Sequence, residues 1–458
     1  MSSTNEEQGF NRKPWFVLTF LLGFAEGLIG TFFPLVFLHF GGSNFELGLF
    51  VGIISLLGSF QIFWGKIIDK FEVPKKLSIA SLSVNTATAL SMASTSSSSV
   101  FGISRAVNGL SNSGFANSDY FLRTAYFPVK NRGKTQNYFM AINLFGVSTS
   151  ITIVGVVYDR FGFDYSHLIH YIAAGIFVVA FFMYLRYVPE FNPKYVRDEQ
   201  ILYARVKDRA NLDYSVKEII QLMKLSPGLI KYLFGMLVFN IGFALSGPFF
   251  IVELNREWGF KNSELALMLS FNSISQVLVI LVLLPFIDFV DRKKLIIIGL
   301  LLACVPVFAL SMKPEWIETY FSSTFLFWMG IFFIASIGWG ILNSTTLTLL
   351  VDYVNPKIRS TIIAGYGSAT AFLAFFAAVL GGILIDFVLP NNQFLFLIST
   401  IIRFLGFIII FKTTSPPIPF ADFYAQRQLF MARFRSNFEK SIQWLPISRR
   451  FKSRNKKH

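Results

Sequence analysis

The strongest constraint on this chain is its hydropathy pattern. An α-helix needs about 20 mainly apolar residues to cross the hydrocarbon core of a bilayer, and runs of that kind recur twelve times along the 458 residues. They lie roughly at 15–39, 46–66, 77–96, 99–121, 137–157, 166–187, 230–253, 263–287, 295–312, 322–348, 361–386 and 394–412. WFVLTFLLGF and FLFLISTIIRFLGFIIIF are among the most apolar stretches, while 77–96 is the least apolar, being rich in Ser and Thr. Lipid satisfies no backbone N–H or C=O, so a spanning segment closes its own hydrogen bonds as a helix. The predicted fold class is therefore all-α integral membrane, with twelve transmembrane helices. Composition agrees: 15% of residues are charged, against about 25% in soluble domains.

Several classes drop out at once. The start, MSSTNEEQGFNRKPW, is not read as a signal peptide, because the first apolar run is too long and no small-residue cleavage site follows. The single cysteine, Cys304, excludes a disulfide framework and a cysteine metal site. The four histidines, at 39, 167, 170 and 458, are too scattered for a metal cluster. No nucleophile constellation and no phosphate loop of the Gly-x-x-x-x-Gly-Lys-[Ser/Thr] kind occurs. The chain is expected not to be an enzyme, and no cofactor or metal is expected.

Charge placement orients the chain. With the N-terminus on the cytoplasmic side, the cytoplasmic segments and adjoining span ends hold 35 Lys and Arg. The outside loops hold four: Arg160, Arg256, Lys261 and Lys313. Arg105 and Arg403 lie deeper within spans. This is the positive-inside pattern, so both termini are predicted cytoplasmic in a multi-pass cell-membrane protein. The net charge of +15 follows from topology and anionic lipid, so no nucleic-acid partner is expected.

The segments between the spans divide the chain. Residues 1–14 form a cytoplasmic start, 15–188 a first six-helix bundle, 189–229 a charged central loop, and 230–412 a second six-helix bundle. The basic tail 413–458 carries Phe423, Phe430, Phe434, Phe438 and Leu445 at near-helical spacing, which reads as an amphipathic helix at the membrane surface.

The two halves repeat each other. GKIIDKFEVPKK after span 2 corresponds to LPFIDFVDRKK after span 8, and FPVKNRGK after span 4 to NPKIRS after span 10. Arg132 and Arg359 stand 227 residues apart. Gly155 and Asp159 in GVVYD match Gly382 and Asp386 in GILID at the same offset, and Pro34 matches Pro248 at an offset of 214. Gly65, Asp69, Lys70, Lys75 and Lys76 resemble the loop 2–3 motif of the major facilitator superfamily. Asp288, Arg292 and Lys293 resemble its second-half copy. Arg105-Ala-Val-Asn108-Gly109-Leu-Ser111 is similar to that family's Arg-x-x-Gln-Gly-x-Gly pattern in span 4. The likeness runs from about residue 15 to 412.

The resemblance implies two bundles of inverted repeats that rock around a site near the bilayer midplane, with spans 1, 4, 7 and 10 lining the cavity. It also implies that Gly65, Asp69, Lys70, Asp288, Arg292, Arg132 and Arg359 form cytoplasmic gate clusters that latch the halves together. A monomer is expected.

Glu26 sits near the middle of span 1, where a carboxylate costs roughly 2.5–3.5 kcal/mol to insert. It is expected to face a cavity and to carry a proton. Arg105 is the expected partner, because a rise of 1.5 Å per residue puts the two within about 5 Å in depth. Arg105, Asn108, Asn112 and Asp119 recur on one helix face, which must look at protein or water. Asn240 falls opposite Glu26 by the 214-residue offset. Asn272 and Gln276 in span 8, Trp339 and Asn343 in span 10, and Tyr366 in span 11 complete the candidate site. The chain is expected to be a secondary transporter that moves a small solute by alternating access, coupled to protons through Glu26. Two transport readings stand open: export of a lipophilic cation, and uptake of a carboxylate or sugar. Span 5 lacks the Gly-Pro pair of the family's exporters, which counts against the first. A ligand sensor built on the same fold is the alternative outside transport.

Overall fold

The computed structural model describes residues 13–126, 132–190, 221, 223–224, 228–283, 290–354 and 359–414. Among these residues there are helices and turns and no strand. The first span is a broken helix, α1 (Lys13–Gly30) and α2 (Phe33–His39). Pro34 sits in the first turn of α2, where its missing N–H costs nothing and its ring cannot continue the helix before it. The second span is α3 (Asn44–Gly58) followed by α4 (Gln61–Phe71). Ser43 and Glu46 close a reciprocal capping box at the start of α3. Then come α5 (Pro74–Ala93), α6 (Ser98–Tyr126), α7 (Arg132–Phe161) and α8 (Ser166–Tyr187).

The second group begins with α9 (Leu229–Ser246) and α10 (Phe250–Arg256), joined through a 3-10 turn that holds Pro248. The paired prolines of the repeat thus become paired helix breaks. There follow α11 (Asn262–Leu283), α12 (Arg292–Leu310), the short α13 (Pro314–Tyr320), α14 (Thr324–Tyr353), α15 (Arg359–Ile383) and α16 (Asn392–Phe411).

Ten helical stretches are long and apolar enough to cross a membrane, where the sequence predicts twelve. The two outside that set are α5 and α6, which fill the places expected for spans 3 and 4. Their lengths suffice, but their composition is polar because their mutual face carries hydrogen-bonding side chains. Ser111 Oγ donates to the Ser81 carbonyl at 2.7 Å, and the Ser91 and Ser104 hydroxyls lie 2.8 Å apart. Polarity that hydropathy counts against a span is here turned inward and paired.

Helix packing repeats between the groups. In the first, α1 packs on α7 and α8, α5 on α6 and α8, and α3 on α6. In the second, α9 packs on α15 and α16, α12 on α14 and α16, and α11 on α14. Two seams join the groups, α7 against α11 and α3 against α15. One continuous apolar core runs along the first group, from Trp15 and Tyr184 to Phe37 and Phe101, and at the end away from Lys13 it continues into the second through Phe249, Ala266 and Trp328. At the opposite end the second group has a core of its own around Tyr232, Leu300 and Leu350.

Arg403, unassigned by the sequence, faces protein. It is 3% exposed, donating to the Ala303 carbonyl and the Ser246 hydroxyl at 3.2 Å each. Its guanidinium lies 5.3 Å from the Phe243 ring centre. Neutral dipoles and ring faces hold this cation.

Candidate functional site

The polar face of α6 meets α5 and α1 in a closed ring of three amides. Asn85 Nδ2 donates to Asn112 Oδ1 at 2.5 Å, Asn112 Nδ2 to Asn108 Oδ1 at 3.2 Å, and Asn108 Nδ2 to Asn85 Oδ1 at 3.2 Å. Each amide gives one bond and takes one. A cation enters the ring at one point, where Arg105 Nη1 donates to Asn108 Oδ1. An anion leaves it at another, where Asn112 Nδ2 donates to Glu26 Oε1. Arg105, Asn108 and Asn112 reach the ring together because positions three and four apart share a helix face. Buried amides need this closure, since an unmade hydrogen bond in a dry interior is expensive. Asn85 and Asn108 are 1% and 0% exposed.

This arrangement corrects the expected Glu26–Arg105 pair. Among the described residues the two form no ion pair; the amide ring stands between them. Equal depth in the bilayer does not fix the angle about a helix axis, and Arg105 is rotated toward Asn108 and the end of α1 at Gly30.

Glu26 and Asn112 lie on the wall of a cavity of about 570 Å³, together with Thr19, Gln61, Asn117, Asp119, Tyr120, Arg123 and Asn143. All lining residues come from α1 and α4–α8. The cavity occupies the half of the molecule nearer Lys13, with Thr19 early on α1 and Arg123 late on α6.

Asp119 forms a second charged cluster. It is 5% exposed and pairs with Arg123, one helical turn on. Trp15 Nε1 donates to its Oδ1 at 2.9 Å. Arg123 also donates to Thr19 Oγ1 at 3.1 Å and lies 4.0 Å over the Phe139 ring. Sequence reasoning missed Arg123 because it ended span 4 at residue 121, placing the arginine in a loop, whereas α6 runs on to Tyr126. The four-residue interval from Asp119 was the available signal. Asn85, inside a Ser/Thr-rich run, carried no such signal.

The expected residues of the second group do not line this cavity. Asn240 Nδ2 donates to the Tyr366 hydroxyl at 3.1 Å, and Asn343 Nδ2 to Gln276 Oε1 at 3.4 Å. Trp339 packs edge-on against Phe243, with ring centres 5.0 Å apart. Asn272 Oδ1 is buried without a hydrogen-bond partner among the described residues.

Where the loop motifs can be followed, their lysines bond within their own half. Lys75, at the start of α5, donates to the Leu185 carbonyl in the last turn of α8 at 2.9 Å and lies 3.6 Å from Glu190. Lys293, at the start of α12, donates to the Phe411 and Thr413 carbonyls at the end of α16. Both lysines thus satisfy carbonyls that helix ends leave orphaned, each within its own group. Gly65 lies within α4, Lys70 is exposed beside Phe71, and Arg292 opens α12. The side chains of Asp69, Arg132 and Arg359, and all of Asp288, fall outside the described residues, as does the tail from 415.

Carboxylates do cross between the groups at the other end. Asp159 accepts the Asn262 and Ser263 N–H groups at 2.7 and 2.9 Å, at the start of α11. Asp386 accepts the Phe45 N–H at 2.7 Å and Asn44 Nδ2 at 2.8 Å, at the start of α3. Gly155 and Gly382 make these approaches possible: a Cβ on either would come within 3 Å of the facing helix.

The sequence model of the Major Facilitator Superfamily matches residues 15–230 and 232–454. Comparison with curated protein sequences gives no match. Solved structures similar to this one include the nucleoside transporter NupG, with a TM-score of 0.64 and 16% identity over 88% of this chain and 99% of that one. The xylose transporter XylE from E. coli, partially occluded and inward open, gives 0.61 and 16% over 87% and 97%. A peptide transporter of the POT type bound to alafosfalin gives 0.58 and 15% over 88% and 92%.

Proposed function

Because the chain belongs to the Major Facilitator Superfamily, we propose that this membrane transporter moves a small solute by proton-coupled alternating access, with Glu26 as the proton-carrying carboxyl. The observation that carries the reading is the place of Glu26. It stands on the wall of a cavity while its amide ring leads away to a half-buried cation, Arg105. The cavity lies nearer Lys13 and the far end is shut by a shared core and two aspartate caps. With both termini cytoplasmic, as the charge distribution predicts, this is an inward-facing state.

Residues 15–188 and 230–412 are the two bodies that move, and the monomer in the cell membrane is the working unit. The similar structures transport a nucleoside, a xylose and a peptide at nearly equal likeness, so similarity of fold sorts neither substrate nor direction. The test is reconstitution into liposomes with a trapped pH dye. Solute added to wild type moves protons with it, whereas Glu26→Gln still binds the solute and moves none. Undiminished proton movement in Glu26→Gln overturns the assignment.

A further inference from the structure

Both carboxylates of the cavity wall are hydrogen-bonded within the protein. Asp119 is paired with Arg123. Glu26 is hydrogen-bonded through the amide ring to Arg105. Asp119 is thus spent on Arg123, and Glu26 is held by the Asn112 amide with no ion pair among the described residues.

What the wall offers instead is amide. Gln61 and Asn143 line the cavity, and their side chains have no hydrogen-bond partner among the described residues. Asn117 spends its Nδ2 on the Gln61 carbonyl at 3.1 Å and keeps its Oδ1 open. An amide both donates and accepts. Hydroxyl and amide groups of a ligand answer both needs at once. A carboxylate answers only the donors, and a quaternary ammonium answers neither. A site built to hydrogen-bond rejects a ligand that leaves its polar groups unpaired. The volume, about 570 Å³, lies in the usual range for small-molecule pockets, and Leu22, Phe115 and Val147 supply one apolar wall.

We infer that this cavity takes an uncharged solute rich in hydroxyl or amide groups, held by Gln61, Asn117 and Asn143. The inference rests on the reading above that the cavity is the transport site. It decides between the two transport readings against lipophilic cations and against carboxylates.

The experiment uses the purified full chain in detergent and measures ligand-induced thermal stabilisation. Glucose, xylose, mannitol and uridine form the uncharged set. Glucuronate and glucosamine carry the glucose skeleton with opposite charges, and tetraphenylphosphonium is the lipophilic cation. At least one uncharged compound stabilises the protein, and Asn117→Ala and Asn143→Ala each weaken its binding about tenfold. Gln61→Ala, at an exposed side chain, serves in place of either variant that does not fold, and Ser311→Ala leaves binding unchanged. Stabilisation by charged compounds alone, or by none of the uncharged set, overturns the inference. If a charged compound binds and Asn143→Ala weakens it, the cavity stands and only the solute class is wrong. If an uncharged compound binds with all three amide variants at full strength, the solute lies elsewhere, and the proposed transport site falls with it.

Discussion

Asp159 and Asp386 stand 227 residues apart and perform the same act at opposite seams: each carboxylate caps the first turn of a helix that belongs to the other half of the chain. A helix N-terminus presents orphan N–H groups and a partial positive charge, and a carboxylate satisfies both. The two caps lie at one end of the bundle, where the apolar core is also continuous between the halves. They tie closure of that end to three donors on Asp159, the Asn262 and Ser263 N–H groups and the Ser263 hydroxyl, and two on Asp386, which separation of the seams gives back to water.

Removing the caps therefore favours opening. Asp159→Asn with Asp386→Asn is expected to lose about 1 kcal/mol at each seam. Spin labels at Tyr165→Cys and Lys261→Cys, in a Cys304→Ala background, are expected to report a larger population at long distance. An unchanged distance distribution in the double variant counts against the caps as closing elements.

The glycines behind the caps test the same seam by sterics. A Cβ on Gly155 would lie 2.2 Å from Ala266 Cβ, and one on Gly382 2.7 Å from the Asn44 carbonyl oxygen. Gly155→Ala and Gly382→Ala are each expected to cost about 1–3 kcal/mol, the usual penalty of overpacking. Gly330→Ala, with nothing within 4 Å, is the comparison and is expected to keep the wild-type melting midpoint.

The Asp119–Arg123 pair is buried enough that its halves are unequal to its whole. Arg123→Gln strands a carboxylate among Trp15 and Tyr184 and is expected to cost about 3–5 kcal/mol. Asp119→Asn added to it is expected to restore part of that stability, because the uncompensated charge is gone. Thermal unfolding of the two single variants and the double closes the cycle. Simple additivity would show that the pair is not coupled.

The amide ring predicts a second cycle. Asn108→Leu leaves Asn112 and Arg105 each short of a partner and is expected to cost about 1–3 kcal/mol for each group left unsatisfied. Asn85→Leu on top of Asn108→Leu is expected to add less than Asn85→Leu costs alone, since the ring is already open. Equal increments in the melting midpoint would mean the three amides act separately.

Much of the fold was written locally. Apolar run length marks where helices lie, Pro34 and Pro248 mark where two of them break, and the paired offsets announce that one half repeats the other. These are properties of a segment and its immediate neighbours, so they can be read without knowing what packs where. Hydropathy undervalues α5 and α6 because it cannot see that their polar residues face one another. The site was legible as a face, Arg105 to Asn112, and as a carboxylate that needed a reason, Glu26. The partners of those residues were not. Arg105 turned out to meet Asn108 and not Glu26, Asn85 arrived from a helix with no distinguishing pattern, and Arg123 entered the cavity because α6 runs further than its apolar stretch. Asp159 and Asp386 were visible as a matched pair while their targets, in the opposite half, were not. Sequence alone thus determined which residues are costly to bury and on which helix face they stand. The rotation of each helix and the facing of distant segments, which select the partner that answers each cost, were settled only when the helices packed.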